Sequence, residues 1–334
     1  MEFSCFLPKG YSDSVTFRDI ETIPDPVPWG LFKPVTIDGT PTYVVIDLET
    51  TDLIRGDQVP HITQIAAQEV HSVAKFNRYV IPKLPITPAA ERVTKICMKN
   101  KTEMIINGAG VESVDIHEAL TSFLCWLSSY NNVVLVAHNG PRFDFVLLSS
   151  ALSNCDLIDK YLSSVCALVD TLTVFRSEVK NQDSYKQEDL ARNLLNLTYN
   201  SHNTEDDVSS LIALFKYLKS LNKKCLLQKS FLPNDVILTI QGSKVKRRNL
   251  PSLLNLISGG IVKMCTAENI ACSGLNYNLL KTIFCRNGED ELYNVFQMKN
   301  SLGQPRVTNA KKTLESVIPK LVAHFENLRK VNLT

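Results

Sequence analysis

Hydrophobic positions along the 334-residue chain change period several times, and each change marks an element. The run "TYVVIDLE" from Thr42 is almost continuously apolar and rich in β-branched residues, the pattern of a strand covered on both faces. "HITQIAAQEV" and "KFNRYVIP" also have strand character, with a turn over residues 70–75 between them. "DIHEALTSFLCWLSSY" instead sets Ile116, Ala119, Leu120, Phe123, Leu124 and Leu127 at helical spacing. "NVVLVAHNG" is a further strand, "DFVLLSSAL" a helix, "ALVDTLTVF" a short strand running into a turn, and "VSSLIALFKYLKSL" a helix. Strands alternating with helices predict an α/β domain from about residue 41 to about 222.

After Lys223-Lys224 the texture changes to short amphipathic helices broken at Ser258-Gly259-Gly260 and Ser273-Gly274-Leu275. Leu314, Val317, Ile318, Leu321, Val322, Phe325 and Leu328 form one clean helical stripe, so residues 230–334 read as an all-helical C-terminal domain. Residues 1–40 carry prolines at 8, 24, 26, 28 and 34. That segment reads as a proline-containing N-terminal arm, either extended along the next domain or a disordered leader.

Composition narrows the class. A content of 44% hydrophobic residues supports a sizeable core, and a net charge of +2 excludes nucleic-acid binding by global charge, leaving only a local patch. "KVKRR", Lys244 to Arg248, is one such patch, open to reading as a phosphate contact, a nuclear-localisation signal or a solvated turn. Nine scattered cysteines without a C-x-x-C pair fit reduced thiols in a nuclear or cytoplasmic protein. The N-terminus lacks the n- and h-regions of a signal peptide, and no apolar run reaches the 18 residues of a membrane span.

The chemistry lies in the acids. Asp47 and Glu49 are two apart on a predicted strand, so both point to one face. Two carboxylates there repel unless a cation lies between them, which invites Mg²⁺ or Mn²⁺. Asp144 opens a predicted helix after an apolar strand, where the helix dipole alone would favour an acid. His202 precedes Glu205, Asp206 and Asp207, in a polar loop that would leave it exposed and titrating near neutral pH. Each feature alone has a plain structural reason; their order along one chain does not.

That order resembles the DEDDh (DnaQ-like) 3′→5′ exonuclease superfamily. "DLETTDL" resembles the motif D-x-E-T-T-G-L, "HNGPRFDFVLL" the motif H-N-x-x-F-D-x-x-x-L, and "HNTEDD" the motif H-x(4)-D. "QIAA" and "DTLTVFR" sit where that family has similar stretches. The motifs are most similar to those of TREX-type enzymes, and the helical tail resembles that of vertebrate exonucleases related to the C-terminal exonuclease-like region of the promyelocytic leukaemia protein. The resemblance implies a ribonuclease-H-like mixed five-stranded sheet flanked by helices. It implies that Asp47, Glu49, Asp144 and Asp207 hold two Mg²⁺ ions, with Mn²⁺ as substitute, and that His202 is the general base. The H-x(4)-D spacing selects Asp207 over Asp206, since adjacent helical residues point about 100° apart. Thr50, Thr51, Leu53 and Asn139 would meet the terminal nucleotide. Asp52 stands where the family has glycine.

The activity so implied is removal of nucleoside 5′-monophosphates from free 3′ ends of DNA, single-stranded or frayed. An RNA or oligoribonucleotide exonuclease and a non-catalytic nuclease-fold scaffold are the two other readings.

Overall fold

The computed structural model describes residues 22–56, 58–199, 204–222 and 224–331. Residues 1–21 of the proline-containing arm thus lie outside the described residues. The chain divides into two compact units: Gly30–Ile240, and Gln241–Thr334 together with the chain up to Trp29. Among the described residues no helix is long and apolar enough to cross a membrane, and the eight described cysteines are all free thiols.

The Gly30–Ile240 unit opens on strands β1 (Thr42–Thr50), β2 (Ile62–Glu69) and β3 (Lys75–Val80), joined as an antiparallel meander. Helix α1 (Pro88–Thr94) and a separate three-stranded sheet follow: β4 (Ile96–Met98), β5 (Met104–Ile106) and β6 (Ala109–Val111). Then come β7 (Ser113–Val114), α2 (Ile116–Leu127), β8 (Val133–Ala137), α3 (Asp144–Asn154), α4 (Ile158–Ser164) and β9 (Val165–Asp170). The unit ends with α5 (Thr171–Glu178), α6 (Gln187–Leu195), α7 (Thr204–Leu221), α8 (Cys225–Gln228), β10 (Ser230–Phe231) and the first half of α9 (Pro233–Asn249). The main sheet has the order β10-β9-β8-β1-β2-β3-β7, with β1, β8 and β9 parallel. Its five central strands are the expected mixed sheet; β7 and β10, two residues each, extend it to seven.

Period-two alternation on β1 sorts its side chains between two layers. Val44, Ile46 and Leu48 join a core with α2 and α3, whereas Tyr43 and Val45 join a core with α5, α6 and α7. Asp47 and Glu49 continue the second series, so the two acids emerge on the face that α7 covers.

One local expectation changes. The segment after β9, which the sequence presents as a turn, is the eight-residue helix α5. Asp170 starts it by accepting the N–H groups of Leu172 and Thr173, both at 3.2 Å, which satisfies orphan donors of the first turn.

In the other unit, α9 continues to Asn249, and α10 (Leu254–Ser258), α11 (Met264–Cys272), α12 (Tyr277–Gln297, bent at Asn287-Gly288) and α13 (Lys311–Val331) enclose one apolar core. Gly260 (φ 67°) and Gly274 (φ 90°) take the left-handed conformation just past α10 and α11, which is why the chain breaks where glycine occurs. Lys246, Arg247 and Arg248 lie in the last turn of α9, where they complement the helix dipole. Residues before Trp29 belong to this unit as well. Val27 N–H donates to the Ser273 carbonyl, and Gln304 grips Trp29 on both sides, accepting its N–H at 3.2 Å and donating to its carbonyl at 2.7 Å. Beneath them the buried Arg306 guanidinium donates to the Ser273 carbonyl; burial lowers it to about 10 while Asp25 pulls the other way.

Candidate active site

Asp47 and Glu49 sit at the carboxyl end of β1, and α7 delivers Asp207 from its first turn. Ligand oxygens of these three carboxylates all lie within 4.8 Å of one another. Asp207, and not its neighbour Asp206, enters the group. Asp144 comes from the first turn of α3 and is 5% exposed. It stands outside that three-residue group but close enough to be the strongest neighbouring charge on Asp47. Its place is fixed by a backbone need. Parallel pairing of β1 with β8 stops at Val45–Val136, and the Leu48 N–H donates to Asp144 Oδ1 at 3.2 Å instead. His202 lies outside the described residues.

The electrostatics are those of acids crowded out of water. Burial, then Asp144, Glu49 and Asp207, push the Asp47 carboxyl well above its usual range. Glu49 is pushed up to about 8 by burial and by Asp207 and Asp144, and Asp144 to about 7 chiefly by burial, against the opposing hydrogen bonds from its own N–H and that of Leu48. Ionising all four together is therefore unfavourable without a compensating cation. Among the described residues the donor set is all oxygen, which matches hard divalent ions such as Mg²⁺ and Mn²⁺ rather than softer metals.

The loop after Glu49 is braced from within. Thr50 Oγ1 donates to the Asp52 carbonyl at 2.6 Å, and Thr51, 2% exposed, accepts the His61 N–H on its hydroxyl. Both threonines thus shape the loop, and it is Leu53, 64% exposed, that faces outward. Asp52 does not adopt the left-handed backbone that would demand glycine. Its Oδ1 accepts the Leu53 N–H at 2.8 Å and pairs with Arg55 at 3.3 Å, so much of its charge is satisfied locally.

Asn139 does adopt that conformation (φ 64°), and its N–H donates to Asp170 Oδ1 at 2.7 Å. Both ring nitrogens of His138 are engaged: Nε2 donates to the Tyr185 carbonyl at 2.8 Å and Nδ1 meets Thr171 Oγ1 at 2.9 Å, while burial lowers its pKa. The glycine between this pair and α3 is needed sterically. A Cβ at Gly140 would fall 2.5 Å from Phe145 Cε2 and 2.9 Å from Ala137 Cβ, both fully buried. Gly140→Ala is expected to cost about 1–3 kcal/mol by overpacking, read as a lower melting temperature. An unchanged melting temperature would show that Phe145 can yield.

Several residues around the acids carry no sequence signal of their own. Gln187 Nε2 donates to the Asp207 carbonyl at 2.8 Å. Tyr199 bonds the Asp207 carboxylate, and burial followed by that charge pushes its phenol up. Thr204, 2% exposed, touches Glu49 and donates to Gln64 at 2.7 Å. Only Gln64 leaves a trace, as the first residue of the "QIAA" stretch on β2.

With this geometry in place the comparisons are direct. An exonuclease family model matches residues 44–215, more than half of the chain, and a model of the PML C-terminal domain matches residues 249–328. No curated protein matches the chain. Among solved structures, the zinc-bound E. coli ExoI–ssDNA complex is 15% identical with a TM-score of 0.45, over 87% of this chain and 71% of that one. E. coli exonuclease I with a 5cy-dA13 oligonucleotide is 17% identical with a TM-score of 0.43, over 65% of this chain and 45% of that one. Exonuclease X with 5′-overhanging duplex DNA is 15% identical with a TM-score of 0.37, over 58% and 99%. This chain thus spans less than half the length of the second of these. Family and carboxylate cluster together support a metal-dependent nuclease. The chain belongs to the exonuclease family whose model spans residues 44–215, and the segment after it is similar to the PML C-terminal domain.

Proposed function

We propose that this protein is a 3′→5′ exodeoxyribonuclease that releases nucleoside 5′-monophosphates from free 3′ ends. The observation that carries the reading is the convergence of Asp47, Glu49 and Asp207 within 4.8 Å, with Asp144 beside them. These four residues would hold two Mg²⁺ or Mn²⁺ ions. When bound, such ions stabilise the attacking and leaving oxygens of an in-line displacement. His202, four positions before Asp206 and five before Asp207 in sequence, takes the proton from the attacking water. Leu53 offers apolar surface to the terminal base, Thr50 and Thr51 hold that loop in shape, and Asn139 would also meet the terminal nucleotide. The intact set of four acids favours catalysis over a scaffold role.

The test uses 5′-labelled DNA and RNA strands with Mg²⁺ or Mn²⁺. A ladder shortening from the 3′ end of DNA is expected. No ladder on either strand defeats the enzyme reading, and cleavage of RNA alone transfers it to an RNA exonuclease. Replacing His202 by Ala is expected to lower kcat by about 10²–10⁴-fold while leaving Mn²⁺ affinity nearly intact. An unchanged kcat removes His202 from the mechanism.

A further inference from the structure

Two amides on the sheet hold the first turn of α7 in a directional chain of hydrogen bonds. Thr204 Oγ1 donates to Gln64 Oε1 at 2.7 Å, Gln64 Nε2 donates to Asn77 Oδ1 at 3.0 Å, and Asn77 Nδ2 donates to Glu205 Oε1 at 3.0 Å. Gln64 lies opposite Glu49 across the β1–β2 pair, and Asn77 lies opposite Ala66 across β2–β3, so both amides face α7. The chain of bonds leaves α7 at Thr204 and returns to it at Glu205. Its direction is forced from one end. Glu205, near Lys75 at 3.9 Å, can only accept, so Asn77 turns its NH₂ outward and its oxygen to Gln64. Gln64 must then present NH₂ to Asn77 and oxygen to Thr204. Gln64 and Thr204 are 5% and 2% exposed, so an unmade link there is costly.

We infer that Gln64 and Asn77 are positioning residues: they seat the first turn of α7 and so set Asp207 against Asp47 and Glu49. This rests on the nuclease reading of the same acids. An amide at 64 does what no carboxylate could, because it accepts on one side and donates on the other.

Gln64→Met keeps the volume and removes both links. It is expected to lower kcat by about 10–100-fold with KM nearly unchanged, as misplacement of a catalytic group does. Gln64→Glu turns two acceptors toward each other along the chain and is expected to lose activity similarly. In the double variant Gln64→Glu/Glu205→Gln, the carboxylate placed on β2 accepts from both Thr204 and Asn77. Asn77 then turns over and accepts from the amide placed on α7. Every link is satisfied, two of them in reverse, at the same net charge. Recovery to within about 3-fold of the parent is expected. A merely structural effect beside Glu49 would not be rescued by a change at position 205, and Gln64→Met, which alters no charge, separates the clamp from a charge effect.

Two readouts need no turnover: amide hydrogen exchange of residues 204–208, and Mn²⁺ affinity without substrate. Faster exchange and weaker Mn²⁺ binding in Gln64→Met, both restored in the double variant, support the clamp. Unchanged exchange in Gln64→Met, or a double variant as impaired as Gln64→Glu, overturns it. A parent protein inactive on all strands defeats the nuclease reading instead, and the exchange data still decide the clamp.

Discussion

Replacing Asp47 with Asn is expected to abolish nuclease turnover and, in the same protein, to raise the melting temperature measured without divalent cations at pH 8. The two effects share one cause. Asp47 is crowded by Asp144, Glu49 and Asp207 in a partly dehydrated strand end. Removing its charge relieves repulsion among acids that folding forces together, and Asn keeps the shape. The gain is expected to show as roughly 2–4 °C for each kcal/mol of relief, given the 211-residue unit Gly30–Ile240. Loss of one of the carboxylates that would hold the cations is expected to lower kcat by about 10³-fold or more. Gel assays of 3′-end shortening and a thermal melt in EDTA check both. Full activity in the Asn variant would remove Asp47 from the site; a lowered melting temperature would mean that its carboxylate is already compensated within the fold.

The second expectation concerns pH. Glu49 and Asp144 in the cation-free protein are raised to about 8 and about 7, against roughly 4 in an unfolded chain. Between those values the folded state holds protons that the unfolded state has released. Stability of the cation-free protein therefore falls as pH rises from about 4.5 to about 8. Below that window both states are protonated, and above it the loss is complete. Bound Mn²⁺ needs the ionised carboxylates, so it should displace protons and counter the loss. The rise in melting temperature on adding Mn²⁺ is expected to be small at pH 5.5 and to reach about 5–10 °C at pH 8 with cation at 100 times its Kd. A rise that stays constant with pH would show that the acids do not titrate together with cation binding.

How much of this is readable from the sequence depends on distance along the chain. The face carrying Asp47 and Glu49 follows from period two: Tyr43 and Val45 point one way, and the acids continue the series. The helices α2, α3, α7 and α13 are legible because their apolar stripes run three turns or more. By contrast β4, β5 and β6 have three residues each, too few for alternation to show. Helix α5 passes for a turn because its start depends on Asp170, whose carboxylate also holds Asn139, 31 positions away. The amide clamp is hidden for the same reason: Gln64 meets Thr204 across 140 positions, and Asn77 meets Glu205 across 128. No local pattern records such pairs. Asp52, conspicuous in the motif, is the reverse case; its carboxylate turns to Leu53 and Arg55, within three positions.

The clasp of Gln304 on Trp29 sets an order of events in the making of this protein. Its two halves are 275 positions apart, and the Gly30–Ile240 unit lies unbroken between them. A chain emerging from the ribosome finishes the nuclease while Ser273, Gln304 and Arg306 are still unmade. Residues 22–29 must therefore wait, tethered to a folded neighbour, until residues 273–306 have been made. Closure of the helical unit thus follows synthesis of the Gly30–Ile240 unit, and a chain stopped before residue 273 would carry residues 22–29 without the groups that clasp them.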